Sequence, residues 1–258
     1  MPGWQGDDYS RHATHHRSFD DWFLETHRPR PDDVVVDAGC GTGEFTLRLA
    51  ELVPDGRVIG VEPDPSMLAE AQAKAGAGID FHQGRIQELD QLCGPGSADL
   101  VVSRAVFHWI PLDEYPGCYS AVHRVLRPGG WFHAESGGSG NVRRVEALLD
   151  DVAVGFGLAP AATTFPDAGT AMELLEEAGF EVGHGSVTTV AQRRPFDREQ
   201  LLGFVRTQAA MAYVRDASPE LRNAFLAEVD RRLDEVRRHD GSYDQTFVRL
   251  HVLCRRPT

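Results

Sequence analysis

Two hydrophobic periods alternate along the first half of the chain. Val34, Val35 and Val36 form an unbroken β-branched run, the pattern of a strand covered on both faces. Arg57-Val58-Ile59-Gly60-Val61, Ile79-Asp80-Phe81-His82, Asp99-Leu100-Val101-Val102-Ser103 and the stretch from Trp131 to Glu135 are further short strands. Between them the spacing lengthens to that of a helix with one buried stripe: Phe45, Leu49 and Leu52, then Met67, Leu68 and Ala71, then Tyr115, Tyr119, Val122 and Leu126. Asp64-Pro65 suits a helix start, and Arg127-Pro128-Gly129-Gly130 is a turn. Five strands alternating with helices predict an open parallel α/β sheet.

Beyond Gly140 the rhythm changes. Val142 to Val154 reads as a helix, and Leu158 to Gly169 as irregular. Thr170 and Glu173 form a capping-box pattern for a helix that stops at Gly179. Phe180 to Val190 suits a sixth strand. Asp197 and Gln200 cap a helix carrying Leu201, Phe204, Val205 and Gln208. Ser218-Pro219 opens a long helix with Leu221, Phe225, Val229, Leu233 and Val236 on one side, a face for core, cap or dimer seam. Thr246 to Cys254 is a closing strand. At the other end, Phe19, Phe23 and Trp22 give a short helix ending before Pro29. The pattern divides the chain into an N-terminal lid, 1–31, and a domain, 32–258. That domain comprises a core over 32–140, cap elements within 141–243 and a closing strand over 244–256.

Charge narrows the class of partner. Net charge is −13, only Lys74 is a lysine, and no block of basic residues occurs. That argues against a nucleic-acid partner, which needs a basic face. Four scattered cysteines without a CxxC pair read as free thiols in a reducing cytosol. With no apolar leader and no membrane-length apolar run, the expectation is a cytoplasmic protein away from membranes. His12, His15 and His16 lack a carboxylate or cysteine at a ligand spacing, so no metal is expected, and their segment reads as a lid.

The candidate chemistry begins at Asp37. Gly39, Gly41 and Gly43 alternate with Cys40 and Thr42 between the first strand and the first helix, so a bound group can approach bare backbone. The spacing is G-x-G-x-G, and Glu44 occupies the third glycine position of the dinucleotide fingerprint, where it would repel a pyrophosphate. Asp37 beside the turn suits a cationic ammonium or sulfonium. Glu62, at the end of the second strand, can accept hydrogen bonds from both hydroxyls of a ribose. A nucleotide-dependent oxidoreductase is the rival that Glu44 disfavours.

Asp37-Ala38-Gly39-Cys40-Gly41-Thr42-Gly43 resembles the signature of class I S-adenosylmethionine-dependent methyltransferases. Val58 to Glu62, Ala98 to Ser103 and Leu126 to Gly130 follow in family order. Trp4 and Tyr9, Ser103 to Trp109, and Thr246 to His251 are similar to the trans-aconitate methyltransferase-like small-molecule subgroup. The resemblance implies a Rossmann-like seven-stranded sheet with helices on both faces, its last strand antiparallel and inserted between the fifth and sixth. It also implies that Asp37, Gly39, Cys40, Gly41 and Gly43 line the methionine part of the cofactor and that Glu62 binds ribose. Pro63 and Met67 would cover adenine, and Ser103 would lend backbone near the sulfonium. An aspartate commonly follows the glycine near the adenine edge. Here Arg85 stands there, so either backbone of Arg85 and Ile86 serves adenine or the register differs. His16 and Arg17 would approach the cofactor carboxylate.

The expected activity is methyl transfer from S-adenosylmethionine to a small O-, N- or C-nucleophile, with a carboxylate among the candidates. A carboxylate needs no general base, whereas a phenol or amine can require one. His108, just after the fourth strand, is the base candidate, against a purely packed role beside Trp109. Trp109, Tyr115, Arg206 and Tyr213, with Arg143 and Tyr243, are candidates for the acceptor pocket. The alternatives are a catalytically silent methyltransferase-like module and an RNA methyltransferase. A monomer or homodimer is expected.

Overall fold

The computed structural model describes residues 21–258 apart from 160, 162 and 184. The N-terminal half alternates as its hydrophobic periods predict: β1 (Val34–Ala38), α1 (Glu44–Leu52), β2 (Arg57–Glu62), α2 (Pro65–Ala73), β3 (Ile79–Gln83), α3 (Leu89–Cys93), β4 (Ala98–Arg104), α4 (Tyr115–Val125) and β5 (Leu126–Gly137). The C-terminal half contributes α5 (Arg143–Gly155), α6 (Ala168–Glu177), β6 (Val187–Arg194), α7 (Arg198–Phe204), a π-helical turn (Val205–Ala209), α8 (Met211–Val214), α9 (Pro219–Arg232) and β7 (Gln245–Arg255).

All seven strands join one sheet in the order β3-β2-β1-β4-β5-β7-β6. β1 to β5 pair in parallel, while β7 runs antiparallel between β5 and β6. The Rossmann-like, seven-stranded expectation therefore holds. Successive crossovers run outward from β1 in one direction and from β4 in the other. The crevice between these two strands, at their carboxyl ends, is where such sheets place ligands.

Both faces of the sheet are covered. On one, Phe132, Ala134 and Leu250 pack with Tyr115, Tyr119, Val122 and Leu175 from α4 and α6. On the other, Val35, Val58 and Leu100 pack with Leu49 and with Phe23, which lies in a helical stretch over residues 21–26. Phe23 also stacks on the buried His133 ring, with centroids 3.6 Å apart. Phe19, which shares the expected face with Phe23, lies outside the described residues, as does most of the expected lid.

A third apolar cluster forms the cap. Phe225, Val229, Leu233 and Val236 bury against Val145, Leu149 and Val152 of α5. The long apolar face near the C-terminus thus packs inside the chain rather than forming a seam. The sixth strand starts later than the pattern suggests. Phe180 is core packing against Phe132, and the backbone turns through Gly183 and Gly185 before β6 begins at Val187. Gly185 has φ +88°, a left-handed conformation that interrupts a strand.

Tyr115 is fully buried in the sheet core, and its hydroxyl donates to the Phe107 carbonyl at 2.9 Å. The place expected for it in an acceptor pocket is corrected: its helical spacing reported burial against the sheet. Tyr115→Phe strands that carbonyl in an apolar core, so urea unfolding should show a loss of about 1–3 kcal/mol. An unchanged midpoint and slope would contradict the bond's contribution.

Candidate functional site

The turn after β1 is tied to β2 by backbone. The Gly39 and Cys40 amides both donate to the Val61 carbonyl, at 2.8 and 3.1 Å. Gly39 must be glycine by packing, because an added Cβ would stand 2.4 Å from a Val106 methyl. Gly41 is different. Its φ is +57°, and a Cβ there would meet nothing within 4 Å, so the bare backbone borders open space. The Gly41 amide donates to Glu62 Oε2 at 3.0 Å, and the Asp64 amide donates to Oε1 at 2.9 Å. These two bonds fix the Glu62 carboxylate beside the turn. Each oxygen keeps one further acceptor position.

Asp37 lies at the end of β1, 2% exposed, and accepts from Thr46 Oγ1 at 2.6 Å. Burial raises its pKa to about 7, opposed by the Thr46 bond and reinforced by Glu62. Burial also raises the pKa of Glu62, while its two amide donors pull it down. Two buried acids therefore face the turn. This donor set fits S-adenosylmethionine: Glu62 has acceptor positions left for two hydroxyls, and the acids favour a cationic centre. A pyrophosphate would meet both acids.

Glu44 does not supply that discrimination as expected. Its carboxylate is paired with Lys74 at 2.7 Å and accepts from the Thr42 hydroxyl, which lowers its pKa. The Lys74 ammonium also donates to the Thr42 carbonyl at 2.7 Å. Glu44 thus acts as one end of a brace between α1 and the residue after α2. The electrostatic case against a dinucleotide rests on Asp37 and Glu62.

The remaining sequence candidates divide. Gly43 precedes α1 with φ +85°. Pro63 is exposed and follows Glu62 directly, and Met67 is buried on the first turn of α2. Ser103 sits at the β4 end, its hydroxyl donating to the Ala38 carbonyl at 2.8 Å, so its side chain locks β4 to β1. Cys40 turns its thiol inward, where burial and the two acids push its pKa up. Its backbone alone borders the turn. Arg85 is corrected: its amide donates to Glu88 Oε2 at 2.8 Å, its carbonyl accepts from the Glu88 amide, and its side chain is exposed beside Glu114. Its amide, taken by Glu88, is not available to an adenine edge. Ile86 follows in a short 3₁₀ turn and is buried. His16 and Arg17 lie outside the described residues.

A cavity of about 690 Å³, part of it open to solvent, lies between the loop after β4, the end of β7 and the cap. His108, Trp109 and Tyr213 line it, as expected. Arg206 does not. It is on the surface with Asp230, and Arg143 is exposed. Tyr243 donates to Asp234 at 2.6 Å. Sequence reasoning missed Asn141, Glu146, Phe165, Phe247 and Arg249. Three of them carried a signal. Glu146 interrupts the stripe Val142, Glu146, Leu149 on a helix whose buried face is otherwise apolar, and Phe247 and Arg249 alternate on one face of β7.

His108 is a poor base where it stands. The Gly137 amide donates to its Nδ1 at 3.3 Å, which leaves the ring proton on Nε2. Burial, with a smaller contribution from Arg249, lowers its pKa to about 3. A neutral ring with a protonated Nε2 offers a donor. The backbone around the cavity is strained: Ala105 (φ +56°) and Val142 (φ +42°) both line it and are the non-glycine residues with positive φ among those described.

A family model for the methyltransferase domain matches residues 35–130. A trans-aconitate 2-methyltransferase of Deinococcus radiodurans is 43% identical over 101 residues, covering 39% of this chain and 36% of the relative. One from Streptomyces avermitilis is 35% identical over 140 residues, covering 50% and 49%. The chain thus spans between a third and a half of these relatives. A solved phosphoethanolamine N-methyltransferase 2 of Haemonchus contortus, in complex with S-adenosyl-L-methionine, superimposes with a TM-score of 0.59 at 16% identity, covering 93% of this chain and 53% of its own. That likeness concerns the fold.

Asp37 gives the site a pH signature. Between its ordinary value, 3.8, and about 7, Asp37 is protonated in the folded state and ionised in the unfolded state. The folded state then binds more protons, so this group's contribution is present below 3.8 and is lost as pH rises through about 7. Asp37→Asn removes the titration and keeps an acceptor for Thr46. Thermal melts without ligand should show the variant gaining on the wild type from pH 4 to 7, by about 1.4 kcal/mol per pKa unit at most, and levelling above. A pH-independent difference would contradict the burial of an ionisable Asp37.

Proposed function

We infer that this chain is a class I S-adenosylmethionine-dependent methyltransferase that transfers a methyl group from that cofactor to a small-molecule acceptor. The observation that carries this reading is the pair of buried acids, Asp37 and Glu62, around the open Gly41 backbone at the carboxyl ends of β1 and β2. The core over 32–140 holds the cofactor, the cap within 141–243 closes over the acceptor, and the strand over 244–256 completes the sheet between them.

When bound, S-adenosylmethionine supplies a methyl group on a positively charged sulfur, a strong leaving group. The chain's part is alignment, which can contribute roughly 7–11 kcal/mol through proximity. Glu62 takes the ribose hydroxyls with the acceptor positions left by its backbone donors. The Gly39–Gly43 backbone passes along the methionine part, with Asp37 beneath it balancing positive charge. Pro63 and Met67 cover adenine, and Ile86 with its backbone serves the adenine edge. The Ser103 backbone borders the sulfur. His16 and Arg17 approach the cofactor carboxylate. His108 holds the acceptor by donating from Nε2; its pKa of about 3 and its Gly137 bond argue against proton abstraction.

The acceptor occupies the cavity beside His108 and Trp109. The acidic balance, −13, supports a small molecule over RNA. No helix among the described residues is long and apolar enough to cross a membrane. A cytoplasmic monomer or homodimer completes this reading.

Isothermal titration tests the cofactor assignment. S-adenosylhomocysteine should bind the wild-type protein, and Gly41→Val or Glu62→Ala should weaken it more than tenfold, about 1.4 kcal/mol. Transfer of labelled methyl to a panel of acceptors then separates an enzyme from a silent binding module. A cooperatively folded protein that binds no S-adenosylhomocysteine would overturn the assignment.

A further inference from the structure

The acceptor cavity has an uneven chemistry that speaks to what it holds. Its walls are mainly rings and aliphatic chains: Trp109, Phe165, Phe204 and Phe247 with Leu149 and Val142. Phe204 and Phe247 meet edge-on at 5.4 Å, and Phe165 lies along the His108 ring at 6.0 Å. Such walls favour a flat, polarisable ligand.

Charge enters the lining at two residues. Arg249 is the only arginine or lysine among the described lining residues. Its guanidinium lies 3.1 Å from the Glu135 carboxylate, which Arg104 also approaches at 3.7 Å, and both Arg249 and Glu135 are almost fully buried. Glu135 thus answers part of the Arg249 charge and shares itself with Arg104, while Arg249 still acts on His108. The second is Glu146, half-buried on α5, with no described residue hydrogen-bonded to its carboxylate. Asp150 lies one turn further along and accepts the Tyr213 hydroxyl proton at 2.7 Å, so that hydroxyl is turned away from a ligand. Burial and Asp150 raise the Glu146 pKa, and Arg143 opposes them weakly. A carboxylate in that setting gains from a hydrogen-bond donor and loses from a second anion.

The geometry points to an acceptor that is flat and mainly apolar, bears no carboxylate, and presents an N–H or O–H to Glu146. This rests on the cavity being the acceptor site of the methyltransferase reading above. It narrows that reading, which left a carboxylate acceptor open. A polycarboxylate would bring several charges into apolar walls with one guanidinium, already engaged, to answer them. Glu146 becomes the residue that sets specificity by reading the donor, and the rings supply shape.

Titration of protein saturated with S-adenosylhomocysteine tests this with four probes: tryptamine, 2-naphthol, 2-naphthoate and trans-aconitate. Tryptamine and 2-naphthol should bind at least tenfold more tightly than 2-naphthoate, and trans-aconitate should give no heat of binding. Glu146→Gln should cut the preference for tryptamine over 2-naphthoate at least fivefold. Gln208→Trp, which fills the cavity from the π-helical turn, should weaken both favoured probes at least tenfold and leave S-adenosylhomocysteine affinity within twofold. Tighter binding of trans-aconitate or 2-naphthoate would overturn the inference, as would the absence of aromatic binding to the loaded protein. Failure of the protein to bind S-adenosylhomocysteine, read in the preceding titration, would instead strike the methyltransferase reading.

Discussion

Two carboxylates buried side by side are costly, and the centre of this fold is arranged around holding them. Asp37 and Glu62 end neighbouring parallel strands, β1 and β2; burial raises the cost of each, and the Glu62 charge adds to that of Asp37. The compensation is local. Thr46, on the first helix, donates to Asp37, while the Gly41 and Asp64 amides donate to Glu62. Those bonds require the glycine turn to fold back over the end of β2, which in turn requires Gly39 to pass within contact of Val106. The acids, the turn and the packing of the loop after β4 are thus one unit. A ligand with ribose hydroxyls and a positive centre relieves what the protein alone leaves strained.

The rest of the fold builds the cavity beside the glycine turn. Inserting β7 antiparallel between β5 and β6 brings Phe247 and Arg249 to the cavity wall and ties Gly137 and Asn141 to the same strand. The cap packs its own apolar cluster over this edge, so the cavity lies between two separately formed cores. Positive φ at Ala105 and Val142 falls within the lining of that cavity. Strain of this kind persists only where surrounding contacts over-determine the backbone.

The sheet and the acid-flanked glycine turn were legible in the sequence because both are local. Strand runs, helix periods and the Asp37-to-Gly43 turn each lie within a few residues, and Glu62 follows at the next strand end. Errors arose where a side chain or amide finds its partner outside the motif that suggested its role. Glu44 meets Lys74 from the far side of β2 and α2, and spacing alone could not pair them. The Arg85 amide goes to Glu88, a short capping bond that a motif comparison overlooks. Tyr115 and Arg206 have residue types common in binding sites, but packing sent one into the core and the other to a surface ion pair. The cavity is assembled from at least four elements, and only Glu146 within an apolar helical stripe and the Phe247–Arg249 alternation on β7 marked it beforehand. His16 and Arg17 fall outside the described residues.

The central claim is that the acids beside the glycine turn hold the nucleoside of a sulfonium cofactor and aim its sulfur at the cavity. A crystal structure of the complex with S-adenosylhomocysteine measures this directly. The account predicts both ribose hydroxyls within hydrogen-bond distance of the Glu62 carboxylate, and the sulfur facing the cavity mouth between Ala105 and His108. Ribose away from Glu62, or a sulfur separated from the cavity by protein, would contradict it.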